Sequence, residues 1–469
     1  MPSLRSRRLL RWGLVAVAVL LLALGGTAAF ILLHSPGNVS HPNVEFTSTS
    51  TTTTTTSTTT SRKPPPVVNN FAWPRYGFDA GRTRLFGGSK IAPPLHVGWR
   101  YNDGALLEFP PVIYQNTLYF VDDNGRAHAV NKLNGRRLWQ RQLGTLAAAS
   151  PALGVPQHLI FIPVLSNNGH SPGNGRFVGL SMKSGHVVWS VPIGAGTESS
   201  PLAWGANVYF GDQGGTLYSV RARDGHINWR YRGSGAIKGG PALANGVLYF
   251  GDYAGRAYAV NASNGHQVWA VSTNGAHFGF GSGQFYSTPA VAFGRVYMGN
   301  TDGRVYSFAE HNGELAWATG TGAYVYASAA AANTPGLGPT VYLGSYDGNF
   351  YAFNARSGAI RWTHNAGGKI SGSATIVDDV VYYSDLASKT TAGLDARTGQ
   401  QVFSFPDGAF NPVIADDRAL YLIGYQTIYQ MRPSRKKPAP APHPRATGKP
   451  HPPSHGPARR GRAARRRPS

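Results

Sequence analysis

Residues Gly255 to Trp269 read GRAYAVNASNGHQVW. Successive residues of a strand face opposite ways, so the alternation in AYAV predicts one buried and one opposing face. Asn264-Gly265 then predicts a tight hairpin turn, because glycine supplies the positive φ that a short loop requires. Trp269 falls on the strand that follows. The same fifteen-residue pattern recurs at 125–139, 175–189, 215–229, 303–317 and 348–362, with a degenerate copy at 389–403. In each copy the second glycine lies ten residues after the first position and the aromatic four residues later.

The repeated aromatics are Trp139, Trp189, Trp229, Trp269, Trp317, Trp362 and Phe403, and Trp99 precedes the first full copy. Their spacing runs from 40 to 50 residues, a period that means a propeller or a solenoid. Recurrence of the ring argues for packing between neighbouring sheets, where it removes a large area from water. Ahead of each first glycine runs another strand, such as VYFGD or LYFGD. A small apolar strand, opening near Pro111, Pro151, Pro201, Pro241, Pro289 or Pro412, suits an innermost position. The last unit supplies three strands, NPVIADD, ALYLIG and TIYQMRP, and LHVGWRY around Trp99 is an orphan outer strand. Pairing these two ends closes a ring and removes open sheet edges. The predicted fold is all-β, an eight-bladed propeller of four-stranded blades over residues 71–431.

The repeat motif A-x-[DN]-x-x-[TSN]-G-x-x-x-W resembles the pyrroloquinoline quinone (PQQ)-like propeller repeat. Trp73-Pro74-Arg75-Tyr76-Gly77-Phe78-Asp79 with Arg82-Thr83-Arg84 is similar to the opening segment of quinoprotein dehydrogenases. The resemblance implies either a quinone-dependent dehydrogenase or a non-enzymatic member like the eight-bladed outer-membrane assembly lipoprotein. A dehydrogenase of this family would imply a calcium site, a catalytic aspartate and often a vicinal disulfide. The chain has no cysteine, which excludes that disulfide, thiolate metal sites and a lipidated cysteine. No constellation of Glu, Asn and Asp matches the family's site, so no catalytic, PQQ or calcium residue is assigned and the expectation is a protein that is not an enzyme.

Formal net charge is +23, which invites a nucleic-acid reading. Its distribution argues otherwise. Residues 1–63 carry +5, residues 432–469 carry +12 without one acid, and residues 64–431 carry only +6. Residues 1–11 form a basic segment, and the uncharged run 12–33 is long enough to cross a bilayer as a helix. The basic flank predicts a signal anchor with a cytoplasmic N-terminus and an extracytoplasmic propeller. Residues 34–70, rich in Ser, Thr and Pro, read as a disordered stalk, and 432–469 as a disordered basic tail facing anionic lipid or wall polymer rather than a specific nucleic acid.

Chemistry-bearing residues are sparse. His186, His226 and His266 follow hairpin glycines in successive repeats, too far apart for one zinc ion. Asp122-Asp123-Asn124-Gly125 reads as a turn, without the closing glutamate of a calcium loop. What remains is a surface. Loops leading into innermost strands gather at one mouth of a propeller axis. Three positions before the inner-strand prolines stand Glu108, Ala148, Glu198, Lys238 and Tyr286, with Tyr326 and Ser371 at the equivalent places. The insertion before Pro289 adds His277, Phe278, Phe280 and Phe285, and the loop 166–175 is expected on the same face. Function collects on loops held by rigid scaffolds. The expected role is a protein-binding or assembly scaffold at the bacterial cell surface, acting as a monomer, with a cell-wall or carbohydrate receptor as a second non-enzymatic reading.

Overall fold

The computed structural model describes residues 37–48, 70–166, 174–273 and 283–434. Eight antiparallel four-stranded blades form a propeller. Blade 4 shows the pattern: Ala242–Ala244 innermost, then Val247–Gly251, Arg256–Asn261 and Gln267–Ser272. Blades 1 to 7 follow in chain order, and blade 8 combines Val413–Ala415, Leu420–Ile423 and Thr427–Pro433 with the N-terminal strand Leu95–Asn102. Trp99 pairs with Gln430 in that closure, as the orphan-strand reading requires.

The repeat has a packing cause. Each indole lies over the hairpin glycine of the next blade: a Cβ on Gly265 would stand 2.8 Å from Trp229. The Trp229 Nε1–H donates to Ala262 O at 3.2 Å, and Trp99, Trp139, Trp189, Trp269, Trp317 and Trp362 make the equivalent bond to their next blades. Gly265 also holds φ at 76°, so the residue serves both the turn and the ring above it. Phe403 keeps the packing position without an N–H to donate, and lies in the cluster formed with blade 8.

The axis is filled by residues 71–86, which visit the blades in order. Phe71 O accepts from Gln115 N in blade 1, Pro74 O from Leu153 N in blade 2, and Arg75 Nη2 donates to Ala203 O in blade 3. Ala80, Gly81, Thr83 and Arg84 carbonyls then accept from Leu243, Val291, Ala331 and Ile376 of blades 4 to 7. The bonds from Leu153, Leu243, Val291, Ala331 and Ile376 satisfy inner-strand N–H groups that would otherwise be buried without partners. Arg82 is buried among carbonyls, donating to Pro241 O at 3.0 Å, Ser200 O at 2.9 Å, Pro201 O at 3.1 Å and Tyr76 O. Such acceptors offset part of the cost of burying a guanidinium.

One segment departs from the sequence reading. Residues 37–48, assigned above to the stalk, are seated on the propeller. Val39 and Ser40 pair with Ala318 and Trp317 and add a fifth strand to blade 5. Val44 and Phe46 pack on the core between blades 5 and 6. Beneath them Arg295 is buried, donating Nε–H to Glu45 O at 2.6 Å and also bonding Val44 O. The physical reason is that buried guanidinium: without this segment it would lose two carbonyl acceptors.

Among the described residues no helix is long and apolar enough to cross a membrane. The basic segment 1–11, the apolar run 12–33, most of the Thr/Ser stretch and the tail beyond 434 lie outside the described residues.

Candidate functional site at the propeller mouth

The loops before the inner strands converge as the spacing predicts. Glu108, Glu198, Lys238, Tyr286, Tyr326 and Ser371 all line one pocket at the mouth of the axis, with an empty volume of about 450 Å³. Tyr76 of the axial segment lines its floor. There the Tyr76 hydroxyl lies 2.5 Å from Ser373 Oγ and donates to Asn411 Oδ1 at 3.0 Å. A ring of small polar side chains ties the blades together beneath the rim. Gly240 N donates to Thr288 Oγ1, Thr288 N to Ser328 Oγ, and Ser328 N to Ser373 Oγ, at 2.9, 2.9 and 3.1 Å.

Charge and aromaticity meet above this ring. Lys238 Nζ lies 3.0 Å from Glu198 Oε1, and Gln213 and Tyr286 donate to the same carboxylate at 2.6 and 3.3 Å. The ammonium also sits over the Tyr253 and Tyr286 rings, 5.2 and 6.0 Å from their centroids. Tyr286 packs edge-on to Tyr326 at 5.6 Å, and Tyr326 contacts Tyr324 and Tyr346 at 6.0 and 4.8 Å. Burial raises the Tyr286 hydroxyl well above its ordinary range, with the Glu198 and Glu108 charges adding to the effect. Burial likewise pushes Glu108 up to about 7, helped by Glu198 and Asp123 and opposed by Lys238. The mouth therefore offers a neutral or anionic Glu108 near physiological pH, a paired lysine and a tyrosine wall.

One correction follows for the rim. Phe285 is fully buried in the core between blades 4 and 5, packing on Tyr306 and Phe308, so it does not line the mouth. The loop into the inner strand turns the Phe285 ring into that core and leaves Tyr286 on the pocket. His277 and Phe280, with Phe278, lie outside the described residues, as does most of the 166–175 loop. Tyr253 and Tyr346, on hairpin turns rather than inner-strand loops, belong to the mouth but escaped the spacing rule. His186, His226 and His266 are exposed turn residues of separate blades.

Pyrroloquinoline quinone is a planar tricarboxylate. The described mouth presents two carboxylates, Glu108 and Glu198, and its lining lysine is already paired with one of them. The residues present do not fit that group.

Among the described residues, one cluster has the composition of a metal site: Asp103, Asp122 and His128, with ligand atoms within 4.8 Å of one another. His128 stands where blades 3 and 4 carry Tyr218 and Tyr258, whose hydroxyls donate to Asp212 and Asp252 at 2.8 and 2.7 Å. Here the His128 Nε2 reaches Asp122 at 3.1 Å and Asp103 at 3.3 Å, and Arg126 bonds Asp122 at 2.6 Å. Burial raises the Asp103 carboxyl. Asp122 is held low against its own burial by hydrogen bonds from His128, Asp103 and Arg126. The cluster is an internally satisfied variant of the repeat's aspartate–tyrosine bond.

Residues 123–277 and 234–438 match the family model described as outer membrane protein assembly factor BamB. The chain belongs to the BamB family. The BamB crystal structure from Moraxella catarrhalis is 16% identical, covers 72% of this chain and 99% of its own, and superposes with a TM-score of 0.59. Quinohemoprotein alcohol dehydrogenase from Comamonas testosteroni is 13% identical, with coverage of 78% and 82% and a TM-score of 0.63. The computationally designed Ika8 protein is 12% identical, with coverage of 71% and 98% and a TM-score of 0.58. At these identities the likeness is one of fold, and both BamB and dehydrogenases share it. No curated protein sequence matches the chain.

Proposed function

We propose that this BamB-family propeller is a non-enzymatic binding scaffold that captures a protein partner at its mouth. The observation that carries this reading is the wall of Tyr253, Tyr286, Tyr324, Tyr326 and Tyr346 around the Lys238–Glu198 pair. Tyrosines bury large area at low conformational cost and dominate protein interfaces, while a fixed ion pair supplies polarity at the centre. The family supports the same reading, since its described member is an assembly factor. The apolar run 12–33 supports a membrane anchor that leaves the propeller extracytoplasmic.

The test is photo-crosslinking in native membranes from a reactive residue at position 326, followed by mass spectrometry. A discrete protein adduct is expected, and it should disappear when Glu198→Ala, Lys238→Ala and Tyr286→Ala are combined. An adduct that survives those three changes rules the mouth out as the binding face.

A further inference from the structure

The seated segment changes how far the propeller can stand from the bilayer. If residues 34–70 were all stalk, 37 residues would separate the apolar run from the propeller. Instead Gly37 is already fixed: its carbonyl accepts from Arg304 Nη1 at 3.1 Å, and Asn38 Oδ1 accepts from Gly320 N at 2.9 Å. Four chain steps separate Leu33 from Gly37, a reach of about 14 Å when fully extended.

The side of the propeller matters as much as the distance. Arg304 follows the hairpin turn 300–303, and Gly320 ends the outer strand of blade 5. The loop after Gly320 runs straight into the mouth: Thr321 N donates to Gly303 O, Val325 N to Asn300 O, and Tyr326 lines the pocket. The segment then runs antiparallel to Leu315–Gly320 and leaves at the opposite face, where Thr47 N donates to Phe293 O. The chain therefore arrives at blade 5 from the mouth side.

The mouth face has matching chemistry. Three lysines stand over tyrosines there: Lys238 over Tyr253, Lys369 over Tyr346 and Lys389 over Tyr425, at 5.2, 5.5 and 4.6 Å. Tyr324 and Tyr425 are 54% and 38% exposed. Tyrosine and lysine are the side chains that settle at the headgroup level, with apolar stems inward and polar tips in water.

We infer that residues 37–48 hold the propeller with its mouth face against the lipid headgroup layer, so that partners reach the mouth from the membrane side. This rests on the reading of 12–33 as an anchor. The chain has no cysteine, so single-cysteine labelling has no background. The full chain in vesicles of mixed zwitterionic and anionic lipid would carry one environment-sensitive fluorophore at Tyr324→Cys, Tyr425→Cys or Leu133→Cys. Leu133 is 47% exposed on the opposite face. Headgroup-attached quenchers are expected to quench the labels at 324 and 425 and to leave the label at 133 unaffected. Quenching at 324 alone means the propeller stands on its edge and overturns the inference, as does equal quenching at all three. A chain that fails to float with the vesicles overturns the anchor and the orientation together, but leaves the crosslinking test of the mouth standing. Val44→Asp with Phe46→Asp, which unseats the segment, is expected to abolish quenching at 425 while the chain still floats; retained quenching there would show that the segment does not set the orientation.

Discussion

Lys238 and Glu198 come from the loops into neighbouring blades and meet at 3.0 Å, with both side chains largely covered. Glu108 shares that mouth, and burial, with the Glu198 and Asp123 charges adding and Lys238 opposing, pushes its carboxyl up to about 7 from an ordinary 4.5. A raised carboxyl pKa means that the folded state holds its proton longer than the unfolded state. Between about 4.5 and 7 the folded state therefore binds more protons, and stability falls as pH rises through that window. Glu108→Gln is expected to stabilise the propeller above pH 7, by roughly 1–3 kcal/mol, and to have no effect below pH 4.5. Lys238→Met, which removes the opposing charge, should steepen the loss. Thermal midpoints of the three proteins at pH 4, 6 and 8 check this; an unchanged difference across that range refutes it.

Phe285 and Tyr286 are neighbours with different partners, the core between blades 4 and 5 for one and the mouth for the other. Phe285→Ala opens a cavity between two blades and should cost about 3–5 kcal/mol. Tyr286→Ala removes the donor to Glu198 and the ring beside Lys238 and Tyr326, and should weaken partner crosslinking at the mouth, which Phe285→Ala should not. Unfolding curves alongside crosslinking yields separate the two effects.

Gly265→Ala tests the repeat itself. An alanine there must adopt a positive φ and push into the Trp229 ring, at a cost of about 2 kcal/mol or more. The same change at Gly246, which also has a positive φ but nothing within 4 Å of a new Cβ, should cost only the strain of about 1 kcal/mol. Equal losses at the two sites would mean that the ring contributes nothing.

Ring closure has its own ion pair. Lys132 Nζ lies 2.6 Å from Asp416, joining blade 1 to blade 8, and both side chains are 4% exposed. Lys132→Ala leaves a buried carboxylate with only its Tyr421 and backbone donors, and should cost about 3–5 kcal/mol. Lys132→Met combined with Asp416→Leu should recover much of that loss. A double variant no better than the single one would show that the pair supplies net stability rather than removing a local penalty.

Blade number, closure and much of the rim were legible in the sequence because glycine, tryptophan and proline recur at fixed offsets. Each offset has one physical meaning: a turn, a ring above it, an inner strand. Phe285 misled because the insertion before Pro289 hides which of two adjacent aromatics faces inward. The seated segment 37–48 carries no period and borders a Thr/Ser run. Its sign lies elsewhere, in Arg295, where blades 1, 3 and 4 place Thr117, Asn207 and Val247. A single arginine at a strand start does not say what covers it. His128 was similarly visible as a departure from tyrosine, but not the two carboxylates that receive it.

The path of residues 71–86 sets a timetable. This stretch is synthesised before any blade, yet its partners arrive one blade at a time. Tyr76 waits for Asn411, 335 positions later. Contacts of such separation are slow to form and leave the growing chain incomplete until its last strands exist. A ribosome halted before blade 8 would thus release not a smaller wheel but an open arc, the Tyr76 hydroxyl at its hub still without Asn411. Quality control could recognise that product by its hub alone.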